Sequence, residues 1–107
     1  MEKLSKKQIK RIEDLDWKVT DCGDYYELEN YSPAGENLVE TLYKNGSLKE
    51  QAYDLYENFD EDKHVEMWVE ARKSGVSGVP SIARLVYDAE QIAEMYADLA
   101  IAIAQVV

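Results

Sequence analysis

Residues 17–46 read WKVTDCGDYYELENYSPAGENLVETLYKNG, and the placement of apolar residues in this stretch decides the fold. Trp17-Lys18-Val19 alternates apolar with polar, and Tyr26 and Leu28 alternate with Glu27 and Glu29. A period of two sends successive side chains to opposite faces, as in a strand with one face on a core and one in water. Asn37 to Tyr43 reads as a third strand. Asp21-Cys22-Gly23-Asp24 has the composition of a tight turn, Ser32-Pro33-Ala34-Gly35 that of a loop, and Lys44-Asn45-Gly46 closes the segment. Connections of hairpin length join antiparallel neighbours, because parallel strands need a much longer crossover. The expectation is a three-stranded antiparallel meander over residues 17–45.

Helical signals lie on both sides. Ser5 and Gln8 form an S-x-x-Q capping box, with Leu4 and Ile9 at the positions of a hydrophobic staple. Ile9, Ile12 and Leu15 make an apolar stripe and Lys6, Lys7, Lys10 and Arg11 stay outside it, so residues 1–16 read as a basic first helix. Downstream, Ser47 and Glu50 form a second box, and Leu48, Ala52, Leu55 and Phe59 share one helical face. Asp60 is the expected cap of a third helix. Glu61 and Asp62 in its first turn and Arg72 and Lys73 in its last match the helix dipole, and Gly75 ends it. After a short loop from Val76 to Val79, Pro80-Ser81 opens a final helix of roughly 25 residues, about 38 Å long. Its Leu85, Ala89, Ile92, Tyr96, Leu99, Ile103 and Val106 form a seam. The fold class is therefore α+β: an N-terminal helix, a three-stranded antiparallel sheet, then three helices including a long C-terminal one. All of it fits a single domain, 1–107, with residues 47–107 as its helical half.

Charge narrows the function classes. The chain carries 22 acids against 12 Lys and Arg, a net −10. Residues 1–11 hold five bases and only Glu2, so residues 12–107 carry −14. A body that negative repels phosphate backbones and favours partners with basic grooves. Duplex binding by Lys6, Lys7, Lys10 and Arg11 would have to overcome it. No uninterrupted apolar run is long enough to span a membrane, and no apolar run follows the basic N-terminus as in a secretory signal. The lone Cys22 makes no internal disulfide, which suits a reducing compartment; the cytoplasm of a bacterial host cell is the expected location.

Catalytic signatures are absent: no G-x-G-x-x-G, P-loop, H-E-x-x-H, C-x-x-C or G-x-S-x-G. One His and one Cys cannot assemble a zinc site of His and Cys ligands, and no metal or cofactor is expected. A Cys22–His64 couple is conceivable, but a turn cysteine and a helix histidine stacked on Trp68 four residues later is the plainer reading. Asp60-Glu61-Asp62 lacks the glycine and spacing of a calcium loop and is explained by capping. No carboxylate pair stands out from the rest, so the chain is expected to bind and not to catalyse.

One constellation has functional shape. From Glu50 to Glu70 there are eight acids and one base, Lys63. Glu50, Asp54, Glu57 and Glu61 step in helical register opposite the Leu48/Leu55/Phe59 face, and Asp62, Glu66 and Glu70 step by four. A four-residue step rises about 6 Å, near the separation of successive phosphates on one nucleic-acid strand. Asp54, Glu57, Glu61, Asp62, Glu66 and Glu70 are thus candidate partner-binding residues, with Tyr53 and Tyr56 supplying apolar contact. A solvated helix face is the competing reading. Tyr25, Tyr26, Tyr31 and Tyr43 cluster on the expected sheet. Beyond Asp98 no charge remains through Val107, so that helix end needs cover from the domain or from a second copy. Leu99, Ile103 and Val106 are the candidate self-association residues of a homodimer.

Three segments resemble a known group: Glu29 to Leu38 (ENYSPAGENL), Phe59 to Trp68 (FDEDKHVEMW) and Gly78-Val79-Pro80-Ser81. The chain from about Trp17 onward is similar to small acidic proteins of phages, plasmids and integrative elements of Gram-positive bacteria, a family without an assigned role. The resemblance implies genomic company that includes anti-CRISPR proteins and anti-restriction DNA mimics. It brings no site residues with it. Together with the acidic stripe it sets the leading expectation: a non-enzymatic inhibitor of a host nucleic-acid-targeting defence protein, such as a Cas9-like effector, whose basic groove it occludes. The alternative is a structural or regulatory interaction module of a mobile element that dimerises through its C-terminal helix.

Overall fold

A computed structural model describes residues 1–104. Seven elements follow in order: α1 (Lys6–Asp14), β1 (Lys18–Asp21), β2 (Tyr25–Tyr31), β3 (Asn37–Tyr43), α2 (Leu48–Asn58), α3 (Glu61–Lys73) and α4 (Ile82–Ala104). The α+β order read from the sequence is the order found. The sheet is antiparallel with β2 in the centre, pairing Val19 with Leu28 and Tyr26 with Leu42.

The alternation in β2 and β3 sorts the sheet's two faces. Tyr26, Leu28, Leu38 and Leu42 are buried, while Tyr31, Val39 and Tyr43 are exposed on the other side. Of the sheet tyrosines only Tyr26 therefore serves the core. Its hydroxyl accepts from the Leu4 amide at 3.1 Å, and its ring carries the buried Lys44 ammonium 4.6 Å from its centre. Lys44 is paired with Asp21 at 2.7 Å, which holds the Asp21 carboxyl below its ordinary range and the lysine above its own. Gly23, at φ 88°, supplies the left-handed residue that the β1–β2 turn requires.

The helices form a layer over the inner face of the sheet. Leu85, Ala89, Ile92, Tyr96, Leu99 and Ile103 of α4 are all buried, as their spacing requires. One core joins Ile92, Tyr96, Leu99 and Ile103 to Ile12 of α1, Trp17, the inner sheet residues, and Leu48 and Ala52 of α2. Tyr96 sits where the layers meet, with ring centres of Trp17 at 6.1 Å and Phe59 at 5.6 Å. At 23 residues, α4 is about 34 Å long, and it accounts for much of the 45 Å long axis of the molecule. Both α2 and α3 pack against it: α2 begins near Ala104, Phe59 meets Tyr96, and Arg72 at the far end of α3 donates to the carbonyls of Val79 and Pro80 ahead of α4.

The caps follow the sequence in part. At α1 the full box forms: Ser5 Oγ accepts from the Gln8 amide, and Gln8 accepts from Ser5 N–H. At α2 only half does. Ser47 Oγ accepts from Glu50 N–H, while the Leu48 amide donates to Glu2 and Glu50 stays in water. Gly75, at φ 92°, follows the C-cap Ser74 of α3, and Ser81 Oγ accepts from Arg84 N–H at the start of α4. Arg11 Nε and Gln8 Nε2 donate to the carbonyls of Ala102 and Ile103, so α1 satisfies groups that the end of α4 would otherwise leave open.

Leu99 and Ile103, expected as dimer contacts, are buried at 0% and 3% exposure inside the chain's own core. Within the described residues Leu99, Ala102 and Ile103 are covered by the chain's own domain, α1 included, while Ile101 stays exposed. Val106 lies outside the described residues. Ile92, fully buried at the centre of the stripe, is the position where truncation should cost most. Ile92→Ala is expected to lower the unfolding free energy by about 3 kcal/mol, read from urea denaturation, whereas Ile101→Ala, on the exposed side of the same helix, should stay within about 0.5 kcal/mol of the parent.

Candidate functional site

Each residue of an α-helix turns it by about 100°. Leu48 and Ala52 define the buried side of α2, and Glu50, Tyr53, Asp54 and Glu57 fall on the opposite side, all exposed. Tyr56 stands on the flank. On α3, His64, Val65, Trp68 and Val69 are half-buried, and Asp62, Glu66 and Glu70 face water. All six candidate acids are thus exposed.

The structure corrects their arrangement. Phe59 and Asp60 are extended, at φ −77°, ψ 115° and φ −106°, ψ 109°, because Phe59 caps α2 and Asp60 caps α3 through a bond from Lys63 N–H. The row expected to run unbroken from Glu50 through Glu57 to Glu61 is therefore two rows on two helices. Glu61 shares its helical angle with Val65 and Trp68, and it is exposed because it stands in the first turn. The outward acids are Glu50, Asp54 and Glu57 on one helix and Asp62, Glu66 and Glu70 on the next.

Little on the chain neutralises them. Among the described residues the only Lys or Arg within 4.0 Å of any of the six is Lys73, 3.4 Å from Glu70, with both side chains mostly exposed. Such a pair contributes little. Glu57 accepts from Tyr53 Oη at 2.5 Å, a bond that raises the tyrosine's ionisation above its ordinary value. The Tyr53 and Tyr56 rings lie 6.2 Å apart, both exposed, so apolar surface does adjoin the α2 acids.

A second polar group lies between sheet and helices. Tyr96 Oη donates to Glu40 at 2.6 Å. Asp88, 2% exposed, accepts from Ser32 Oγ at 2.9 Å and from Ala34 N–H at 2.8 Å, tying the β2–β3 loop to α4. Glu36 Oε2 and His64 Nε2 stand 2.8 Å apart without the alignment a hydrogen bond requires. Glu36, His64 and Asp88 each bring one donor atom within 4.8 Å of the others, the one set among the described residues with the composition of a metal site. The His64 ring lies 5.2 Å from that of Phe59, a contact the expected stack on Trp68 did not include. Cys22 sits in the β1–β2 turn with its thiol against the Thr20 carbonyl, so no Cys22–His64 couple forms.

The sequence reading passed over these carboxylates, although the signal was present. Leu38 and Leu42 face the core, and a period of two puts Glu36 and Glu40 on the same side. An acid at an inward strand position needs an internal partner. His64 and Tyr96 are where Glu36 and Glu40 meet one.

Comparison with family models, with curated proteins and with solved structures finds no match to this chain. The site itself must carry the functional reading.

The Tyr96 hydroxyl is held far above the usual phenol range, first by burial and then by its bond to Glu40. The unfolded chain releases this proton near pH 10, so the stability it contributes is intact below that pH and falls as the pH rises further. Tyr96→Phe should lower neutral-pH stability by about 1 kcal/mol and flatten the loss of unfolding free energy above pH 10. Equal alkaline slopes in the two proteins would contradict this assignment.

Proposed function

We propose that the protein is a binding protein whose acidic outer surface on α2 and α3 occupies a basic nucleic-acid groove of a protein partner. The class of partner is a host nucleic-acid-targeting defence protein, with a Cas9-like effector as the leading case, and the effect is inhibition without catalysis. The supporting observation is that all six acids stand exposed on consecutive helices, five of them with no Lys or Arg partner among the described residues. A groove built for phosphates would supply the missing counter-charges, steer the encounter and be blocked by the bound helices. Tyr53 and Tyr56 would add apolar contact at the α2 end.

The dimerising alternative has less behind it. Of its contact residues Leu99, Ile103 and Val106, the first two lie inside the chain's own core. DNA binding by the first helix is also weakened, since Arg11 is turned to the end of α4.

The test is a triple charge reversal confined to outward positions, Asp54→Lys, Glu57→Lys and Glu66→Lys. Inhibition of target cleavage by a guide-loaded Cas9-like effector is expected to weaken by about 100-fold or more, at about 1 kcal/mol or more per lost pair. Parent inhibition should also fall as salt rises. A triple variant with parent circular dichroism and undiminished inhibition would sink the occlusion mechanism.

A further inference from the structure

Glu36, His64 and Asp88 come from three different elements: the β2–β3 loop, α3 and α4. Asp88 is 2% exposed, and the His64 and Glu36 side chains are 11% and 22% exposed. The facing atoms, Glu36 Oε2 and His64 Nε2, are both fully shielded from solvent and make no hydrogen bond. Two shielded donor atoms 2.8 Å apart, neither in a hydrogen bond, leave their lone pairs unsatisfied.

Charge makes the same demand. Two carboxylates this close and this buried are costly without a cation. No Lys or Arg among the described residues pairs with either one; Asp88 has only a hydroxyl and an amide, and Glu36 only the imidazole. Ser32 and Ala34 hold both Asp88 oxygens in place, as the outer partners of a ligating carboxylate do. A cavity of about 140 Å³ lined by Glu36, Asp88, Gly35, Trp68 and Pro80 adjoins the cluster, room enough for water to complete a coordination shell.

From these observations we infer that Glu36, His64 and Asp88 form a binding site for one divalent transition-metal ion of the zinc class. One imidazole nitrogen and two carboxylate oxygens suit Zn²⁺ or Mn²⁺, whereas Ca²⁺ and Mg²⁺ take oxygen-rich shells. At bond lengths of about 2.0–2.2 Å tetrahedral neighbours stand roughly 3.4 Å apart, so Glu36 and His64, now 2.8 Å apart, would separate by about half an ångström on taking up the ion. No metal was expected from the sequence, where a site of His and Cys ligands and a calcium loop were weighed and mixed sites of one His with carboxylates were not. The ion's role follows from the fold. No residue of α3 is fully buried, so a metal shared by His64, Glu36 and Asp88 would pin this loosely seated helix to the sheet loop and to α4. The inference does not rest on the partner-binding reading.

The experiment uses the untagged full chain after chelator treatment, titrated with ZnCl₂ alone. One saturable zinc per chain is expected. At about 100 times the dissociation constant, the melting temperature should rise by on the order of 10 °C. His64→Gln and Asp88→Asn should each lose that shift and weaken binding at least tenfold, while Glu13→Gln, an exposed acid on α1 outside the cluster, should bind as the parent does. Co²⁺ should give visible absorption bands in the parent and not in His64→Gln, a readout that survives a modest loss of stability. MgCl₂ at the same concentration should leave the melting temperature unmoved. Absence of a saturable zinc site in the parent, or a site that persists unchanged in both variants, overturns the proposal in favour of a plain His64–Glu36 ion pair.

Discussion

Leu85, Ala89, Ile92, Tyr96, Leu99 and Ile103 place one side of α4 out of water along its whole length, and no single neighbour is long enough to cover it. The rest of the architecture answers that need. The sheet lies beneath, α1 covers the C-terminal end, and α2 and α3 lie in succession along one side. Each cover residue removes apolar area from water at about 25 cal/mol per Å², so the stripe gains from every element that joins it. The order of elements in the chain is also the order of cover: α1 and sheet first, then two helices that run back along the last one.

The cover is uneven, and the unevenness locates the chemistry. Near Leu99 and Ile103 it is apolar and tight. Toward Asp88 it becomes polar, because the sheet presents Glu40 and the β2–β3 loop presents Ser32 and Glu36. A polar layer holds an element only when its groups are paired. Glu40 and Asp88 have hydrogen-bond partners; Glu36 and His64 face each other without one. The least satisfied pair therefore falls at the joint where α3, the helix with no buried residue, meets the body.

The fold was legible because its signals are local. Period-two alternation, three turn-forming segments and the Ser5, Asp60 and Gly75 boundary residues each act over a few positions, and they fixed element order and most ends. What escaped depends on residues far apart in sequence. Glu36 meets His64 across 28 positions and Ser32 meets Asp88 across 56, distances at which no periodicity argument operates. The acidic row was half legible: outward facing was readable from the Leu48/Ala52 face, but continuity across residues 57–61 was not. Aligning the acids at helical steps assumed one helix, while Asp60 as N-cap already implied that a second helix, with its own phase, began there.

The negative residues are not all equivalent as signs of function. Glu61 and Asp62 stand at the N-terminus of α3, where an acid gains about 0.3–1 kcal/mol from the helix dipole, so stability alone accounts for them. Glu57 stands in the last turn of α2, where the same dipole opposes it, and that turn holds no basic residue. Its bond from Tyr53 occupies one oxygen without supplying a charge. Solubility does not require an acid at this position, since Glu50 and Asp54 already make that face polar. A residue that costs the isolated chain something, on an outward face, beside two exposed tyrosines, is what the proposed binding role would account for. The proposed binding role therefore rests more on Glu57 and the outward acids Asp54 and Glu66 than on the total of −10, which any soluble acidic domain could carry.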